Sequence, residues 1–336
     1  MNYFTRSTIV MVILALLLAV FAGCNVALKQ TNPKLPPGFT EAQVPTGENL
    51  SAYLYVSQQK PVVIDTARFG DITKQIQDPV LKRVFVVPHV LEVRGLAVSV
   101  GSDLDSFAGN VRFTTEEPAF IAEQLLAGRP EVSGWRDGMV LNLVRGSGPW
   151  ADAMTSSLKS MTGSKFQDAY PKIWELMRVL PEQPPMEPVV AGFVHVDTAL
   201  LDSLSARAGL DLGGVGQALG AINVSDIVFA GYAGAPLELP KEITQQYLQK
   251  ADLGAIFLAQ SSYPGFALGF FLNSFADKAG LKKGTKVSGE DVLSREMEGM
   301  HLLVKPLGNT LILVLASNQG NAEKLMASVL EPQLKK

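Results

Sequence analysis

The stretch Val62-Val63-Ile64-Asp65-Thr66-Ala67 is met again as Val194-His195-Val196-Asp197-Thr198-Ala199, at an offset of 132. In both places an apolar segment ends in Asp-Thr-Ala. In both, apolar residues then recur at helical spacing: Phe69, Ile72 and Ile76 after the first, Leu201, Leu204 and Ala208 after the second. The Asp or Thr side chain is placed to accept hydrogen bonds from the free backbone N–H groups of a helix start. Self-similarity at a fixed offset marks a repeated structural unit.

Working outward at the same offset, Gly95-Leu96-Ala97-Val98-Ser99-Val100 falls on Ile227-Val228-Phe229-Ala230-Gly231-Tyr232, and both read as buried strands. Val111-Arg112-Phe113-Thr114-Thr115 is then matched to Phe270-Phe271-Leu272-Asn273-Ser274 at an offset of 159. Here a strand is expected to run into a capped helix, with Thr114/Glu117 and Ser274/Asp277 at capping-box spacing. The last match sets Gly138 to Val144 on Gly308 to Val314, at an offset of 170. Asp137-Gly138 and Gly308-Asn309 read as hairpin turns feeding these strands. Ser147 and Ser317 then precede helices with apolar faces Ala151, Met154, Leu158 and Ala322, Leu325, Met326, Val329. The widening offset implies two insertions in the second copy, a larger one before its third element and a smaller one before its last. The first insertion is expected to hold a helix near Lys241–Lys250 and a strand near Leu253–Leu258.

The fold expected is therefore α+β. It has two copies of a strand-helix-strand-strand-helix-strand unit, ferredoxin-like in logic, with mostly antiparallel sheets and helices packed on one face. Residues 50–180 form the first copy with its closing helices, including one from Phe166 to Leu180. Pro181, Pro184, Pro185 and Pro188 make residues 181–188 a stiff linker, and residues 189–336 form the second copy.

Ahead of the first copy, residues 24–49 carry Pro33, Pro36, Pro37 and Pro45 and few large apolar side chains, which reads as an extended tether. At about 3.3 Å per residue it reaches at most about 80 Å. Residues 1–23 begin with one charge, Arg6, followed by fourteen apolar residues from Ile9 to Ala22. A basic start, a short apolar core and a small-residue end make a secretory signal peptide. The core falls short of the roughly 20 apolar residues of a membrane span.

Phe21-Ala22-Gly23-Cys24 ends that segment, and Cys24 is the chain's single cysteine. These residues resemble the lipobox of bacterial lipoprotein precursors, with Phe21 standing where Leu is usual. The resemblance covers the signal segment through Cys24 and names a processing route, not a domain family. It implies signal-peptidase recognition of Phe21, Ala22 and Gly23, cleavage before Cys24, and lipid attachment at Cys24. Two or more acyl chains give stable anchoring where one gives only reversible binding. An uncleaved signal anchor with an incidental Cys is the alternative, and both export and tether the rest of the chain.

Composition narrows the function classes. Loss of Arg6 takes the formal net charge from −3 to −4. A mildly acidic chain lacks the clustered basic face that nucleic acid requires, and it has no polybasic run to reinforce membrane contact. With Cys24 committed to lipid no disulfide can form, so stability rests on burial, for which 47% apolar residues are ample.

Each chemical motif has a plainer reading. Gly214-Val215-Gly216-Gln217-Ala218-Leu219-Gly220 has dinucleotide-loop glycines without the preceding buried strand, and reads as a glycine-rich helix or turn. Ser156-Ser157-Leu158-Lys159 fits S-x-x-K, but no Lys-Thr-Gly strand accompanies it and Ser225-Asp226 is followed by Ile227. His89, His195 and His301 are the only histidines, none in an i, i+4 pair, and His195 reads as a half-buried strand residue. Glu116-Glu117 sit where a helix start favours negative charge. Trp135, Trp150 and Trp174 read as core, or as the lining of an apolar pocket or interface. No catalytic residue, cofactor-binding loop or metal site is expected.

The function expected is that of a membrane-anchored extracytoplasmic lipoprotein: a non-enzymatic binding or interaction scaffold in the cell envelope. Its partners would be the membrane, through Cys24, and another envelope protein or an apolar ligand. A carrier of a lipid or small apolar molecule is the alternative, and a hydrolase gathering His195 or His301 with a Ser and an Asp a further one. The insertions of the second copy are the first place to look for a binding surface.

Overall fold

The structure, a computed structural model, describes residues 50–65, 90–101, 106–127, 132–160, 170–195, 224–234, 252–276, 280–297 and 299–334. The signal segment, Cys24 with its tether, His89, the helices expected after Asp65 and Asp197, the Gly214–Gly220 loop and the helix near Lys241–Lys250 all lie outside the described residues.

The first half contains β1 (Leu50–Asp65), β2 (Val90–Gly101), β3 (Phe107–Phe113), α1 (Glu116–Leu126), β4 (Val132–Asp137), β5 (Val140–Arg145), α2 (Pro149–Ser160) and α3 (Pro171–Met177). The second contains β6 (Glu187–His195), β7 (Val224–Ala233), β8 (Leu253–Ser261), α4 (Gly265–Ala276), β9 (Lys282–Val287), β10 (Glu290–Met297), β11 (Met300–Leu307), β12 (Thr310–Ala316) and α5 (Gln319–Leu334). The α+β class with antiparallel pairing is as expected. The strands form one sheet in the order β4-β5-β3-β2-β1-β6-β7-β8-β12-β11-β10-β9, joined at its middle by β1 and β6, where Tyr53 lies opposite Phe193.

Outward from that central pair the order repeats: β1-β2-β3-β5-β4 on one side, β6-β7-β8-β12-β11 on the other. Register corrects one sequence match. Leu141 of β5 lies opposite Val111 of β3, and its match at the offset of 170, Leu311 of β12, lies opposite Ala259 of β8. The partner of Val111 is thus Ala259, at an offset of 148, and not Phe270 at 159. Phe270 to Ser274 are helical, and the Ser274 hydroxyl bonds the Phe271 carbonyl instead of capping anything. A short apolar run does not by itself distinguish strand from buried helix. The strand expected near Leu253 exists as β8, but as the counterpart of β3 and not as an insertion. The offset now steps from 132 to 148 ahead of β8 and from 148 to 170 between β8 and β12; the β9–β10 hairpin falls in the second step.

The hairpin turns agree with expectation. Gly138 at φ 55° and Gly308 at φ 56° open two-residue turns that hold Asp137 opposite Val140 and Leu307 opposite Thr310. A hydrogen bond outside the strand ladders also recurs: the Phe113 N–H donates to the Met139 carbonyl, and the Ser261 N–H to the Asn309 carbonyl, each at 2.9 Å.

Helices cover both faces of the sheet, which corrects the expectation of one. Along β5, Leu141 packs with Phe113 and Ala119 under α1, while Val144 packs with Ala108, Ala151 and Met154 under α2. Along β12, Leu311 packs with Leu268 and Leu272 of α4, while Ile312 and Val314 pack with Leu325, Met326 and Val329 of α5. Side chains alternate between faces along a strand. Runs such as Leu311-Ile312-Leu313-Val314 are apolar at every position and need cover on both sides.

The capping residues of two helices are defined by the structure. The N-cap of α1 is Thr115, with no side-chain bond, and not Thr114. Ahead of α5 the capping oxygen belongs to Asn318, which accepts the Asn321 N–H at 2.8 Å; the Ser317 hydroxyl is buried with no partner among the described residues. In the segment 179–186, Val179, Leu180, Pro181 and Met186 are buried, whereas Glu182, Gln183 and Pro185 are exposed, and β6 begins at Glu187.

Candidate functional site

The S-x-x-K residues lie on α2. Ser156 and Lys159 are exposed at an open depression that also touches Asp152 and Thr155, and the Lys159 ammonium sits 5.3 Å from the Trp135 ring. A lysine spread over an indole on an open surface is a cation–π contact, not a desolvated base beside a nucleophile. His195 sits in β6 opposite Asp226, whereas His301 sits in β11, four strands away, so strand order keeps the two apart. Among the described residues no three His, Cys, Asp or Glu side chains converge as a metal set. Trp135 and Trp150 pack on the buried Ala108, Val144 and Met154, and Trp174 on the larger core, as the core reading has it. Tyr170, packed 5.1 Å from Phe193, has its hydroxyl pKa pushed up to about 12 by burial, and burial raises that of Tyr232 too. Both belong to the core.

The surface that stands apart is α4 and what surrounds it. Its sequence, GFALGFFLNSFA, holds no charged residue. Leu268 and Leu272 point into the sheet, where they meet Val304 and Leu311. The opposite crest exposes Phe266 (48%) and Phe270 (77%), and Tyr263 (44%) stands just ahead of the helix. Residues four apart on a helix share a face, so the two phenylalanines form one aromatic ridge. An amphipathic helix puts polar residues outward; this one exposes Phe266 and Phe270 along with its Asn273 and Ser274. At 12 residues and about 1.5 Å rise each, α4 is far too short for a bilayer, and no described helix is long and apolar enough to cross one.

Beside the ridge runs a groove of about 480 Å³, within the usual range of about 300–1,000 Å³ for ligand sites. One wall is α4, through Gly269 and Leu272; the floor and far wall are Leu293 of β10 and Val304 of β11, with Asp291 also lining the groove. Its rim is made by β9. Thr285 lies opposite Val292 and Lys282 opposite Ser294, so Lys283 and Gly284 together face Leu293 alone. That is a β-bulge, completed by Gly284 at φ 106°. Bulges re-aim side chains and are common beside functional sites. Here the bulge sets Lys283 at the groove. Lys305 closes one end, held by Glu290 at 2.8 Å and the Asp291 carbonyl at 3.0 Å. Lys286 and Asp291 form an exposed pair at 4.0 Å. Lys283 has no ion-pair partner among the described residues.

The aromatic ridge is hidden in the sequence because residues 270–274 read there as a strand. The lack of Val, Ile and Thr across residues 265–276 is the signal that favours a helix. The groove does lie at an insertion of the second copy, the one that holds β9 and β10.

No protein-family model matches the chain, and no curated protein sequence matches it. Among solved structures, crystal form III of TP0453 is similar at a TM-score of 0.35 and 10% identity, covering 89% of this chain and 99% of that one. Crystal form I of TP0453 gives 0.35 and 7% over the same shares, and crystal form IV gives 0.31 and 8% over 88% and 97%. Likeness at this level carries no argument about activity.

Proposed function

We propose that this chain is an extracytoplasmic lipoprotein, anchored to a bacterial membrane through lipid on Cys24, that acts as a non-enzymatic binding scaffold in the cell envelope. Its binding surface is α4 with the adjoining groove. The observation that carries this reading is the exposed aromatic ridge of a helix without charges: Phe270 is 77% exposed, and clustered exposed aromatics are the side chains that dominate binding energies at interfaces. The repeated strand order and the repeated turn bond support a tandem duplication as the origin of the two halves. On that view the first copy supplies scaffold and the second, with its extra hairpin, supplies the site.

Two experiments test this. Cys24→Ser should leave an unprocessed precursor without acyl mass; unchanged mass and mobility would remove the anchor. Native mass spectrometry of the protein extracted from its own membranes should show a bound lipid or protein. Phe266→Ser with Phe270→Ser should release that bound mass and leave the fold intact, because both side chains are exposed. A wild-type protein that carries nothing would refute the scaffold.

A further inference from the structure

Deepening the reading of the α4 surface as the binding site, and resting on it, we propose that the groove between α4 and β9–β11 takes a single-chain amphiphile with an anionic head group, of the fatty-acid or lysolipid class. The chain lies along Leu272, Leu293 and Val304, and the head group meets Lys283.

Four observations converge on this. The groove has an apolar floor and a charged end, the polarity of an amphiphile and not of a sugar or a peptide. Gly269 leaves its wall open: a Cβ built there meets nothing within 4 Å. A glycine inside a helix costs stability relative to alanine, and here it provides room for a chain. The local charge is also opposite to that of the protein. Strands β9, β10 and β11 carry five basic side chains, Lys282, Lys283, Lys286, Arg295 and Lys305, against three acidic, Glu290, Asp291 and Glu296. That is a local net of +2 on a chain of formal net charge −3. The nearby carboxylates have cations of their own, since Glu290 holds Lys305 and Asp291 lies by Lys286. Lys283, brought in by the bulge, is left for a ligand's charge. Finally, the hairpin that forms the rim has no counterpart among the described residues of the first half, so the scaffold does not require it.

The test uses full-length protein in membranes of expressing cells. They are labelled with a long-chain fatty acid carrying a photoactivatable diazirine, and in parallel with the matching fatty alcohol. Photoadducts should map to peptides from residues 265–276 and 290–306 and should fall on competition with palmitate. Gly269→Leu fills the groove from a position with free space and favours the helix, so it should reduce labelling by more than about tenfold while the thermal midpoint holds or rises. Lys283→Glu should weaken labelling by the acid about two- to fivefold, the scale of one exposed ion pair, and leave the alcohol unchanged. Equal labelling by acid and alcohol, or labelling that survives Gly269→Leu, would overturn the proposal. The scaffold reading fails separately. If a bound mass persists in Gly269→Leu but is lost in Phe266→Ser/Phe270→Ser, the α4 surface binds something else and only the amphiphile is refuted. If no mass is bound in any form, both are refuted.

Discussion

Two glycines of α4 give the sharpest physical prediction, because the same substitution should act on them with opposite sign. Gly265 opens the helix against the β11–β12 turn: a Cβ there would stand 2.2 Å from the Gly308 carbonyl oxygen and 2.7 Å from its carbon. Ordinary contact starts near 3.4 Å, so helix or turn must retreat by about 1 Å. The turn cannot yield cheaply. Gly308 is held at φ 56°, and the next residue, Asn309, accepts the Ser261 N–H. Overpacking of this kind costs about 1–3 kcal/mol, and at the first helical residue alanine recovers little of it. Gly269, one turn on, faces open space. There Gly→Ala should stabilise by about 0.8–1 kcal/mol through helix propensity alone. In a chain of this size about 1 kcal/mol moves the thermal midpoint by about 2 °C or slightly more. Thermal and urea unfolding followed by circular dichroism, at unchanged urea slope, should place Gly265→Ala below wild type and Gly269→Ala above it. If both move the same way, the close approach of α4 to the β11–β12 turn is wrong, and with it the position of the groove wall.

Two further outcomes follow from contacts elsewhere. Asn318→Ala removes the oxygen that accepts the Asn321 N–H and the amide that bonds Asp252, so it should cost about 1–2 kcal/mol in urea unfolding, whereas Asn318→Ser, which keeps a capping oxygen and sets no second carboxylate against Asp252, should cost less. Burial raises the hydroxyl pKa of Tyr170 to about 12. The unfolded chain, with tyrosine near its ordinary value of 10.0, therefore loses the proton first, so stability is complete below about pH 10 and declines as pH rises toward about 12. Tyr170→Phe should flatten that decline, and an identical alkaline profile in the variant would refute the assignment.

Much of the architecture is legible locally. Gly138 and Gly308 announce their turns because a two-residue hairpin turn needs a positive φ that glycine supplies without strain. The runs Leu141 to Val144 and Leu311 to Val314 announce buried strands because they place large side chains on a pleated surface. Ala322, Leu325, Met326 and Val329 announce the buried stripe of α5. Phe270-Phe271-Leu272 misleads, because apolar residues at every position erase the period that separates helix from strand. With that helix taken for a strand, the candidate site disappears too: the ridge of Phe266 and Phe270 exists only at helical spacing.

The amino-acid sequence by itself thus determined the turns, most strands, the α5 face and the lipobox resemblance at Cys24, since each depends on residues within a few positions of one another. Only the tertiary structure decided that β1 and β6 fuse two halves into one sheet, that helices cover both faces, and that α4 closes a groove against a hairpin with Lys283 at its rim. Strand pairing is made by backbone groups common to every residue, so partners distant in the chain leave little local signature. A groove is the space between such elements, and it exists only once they have met.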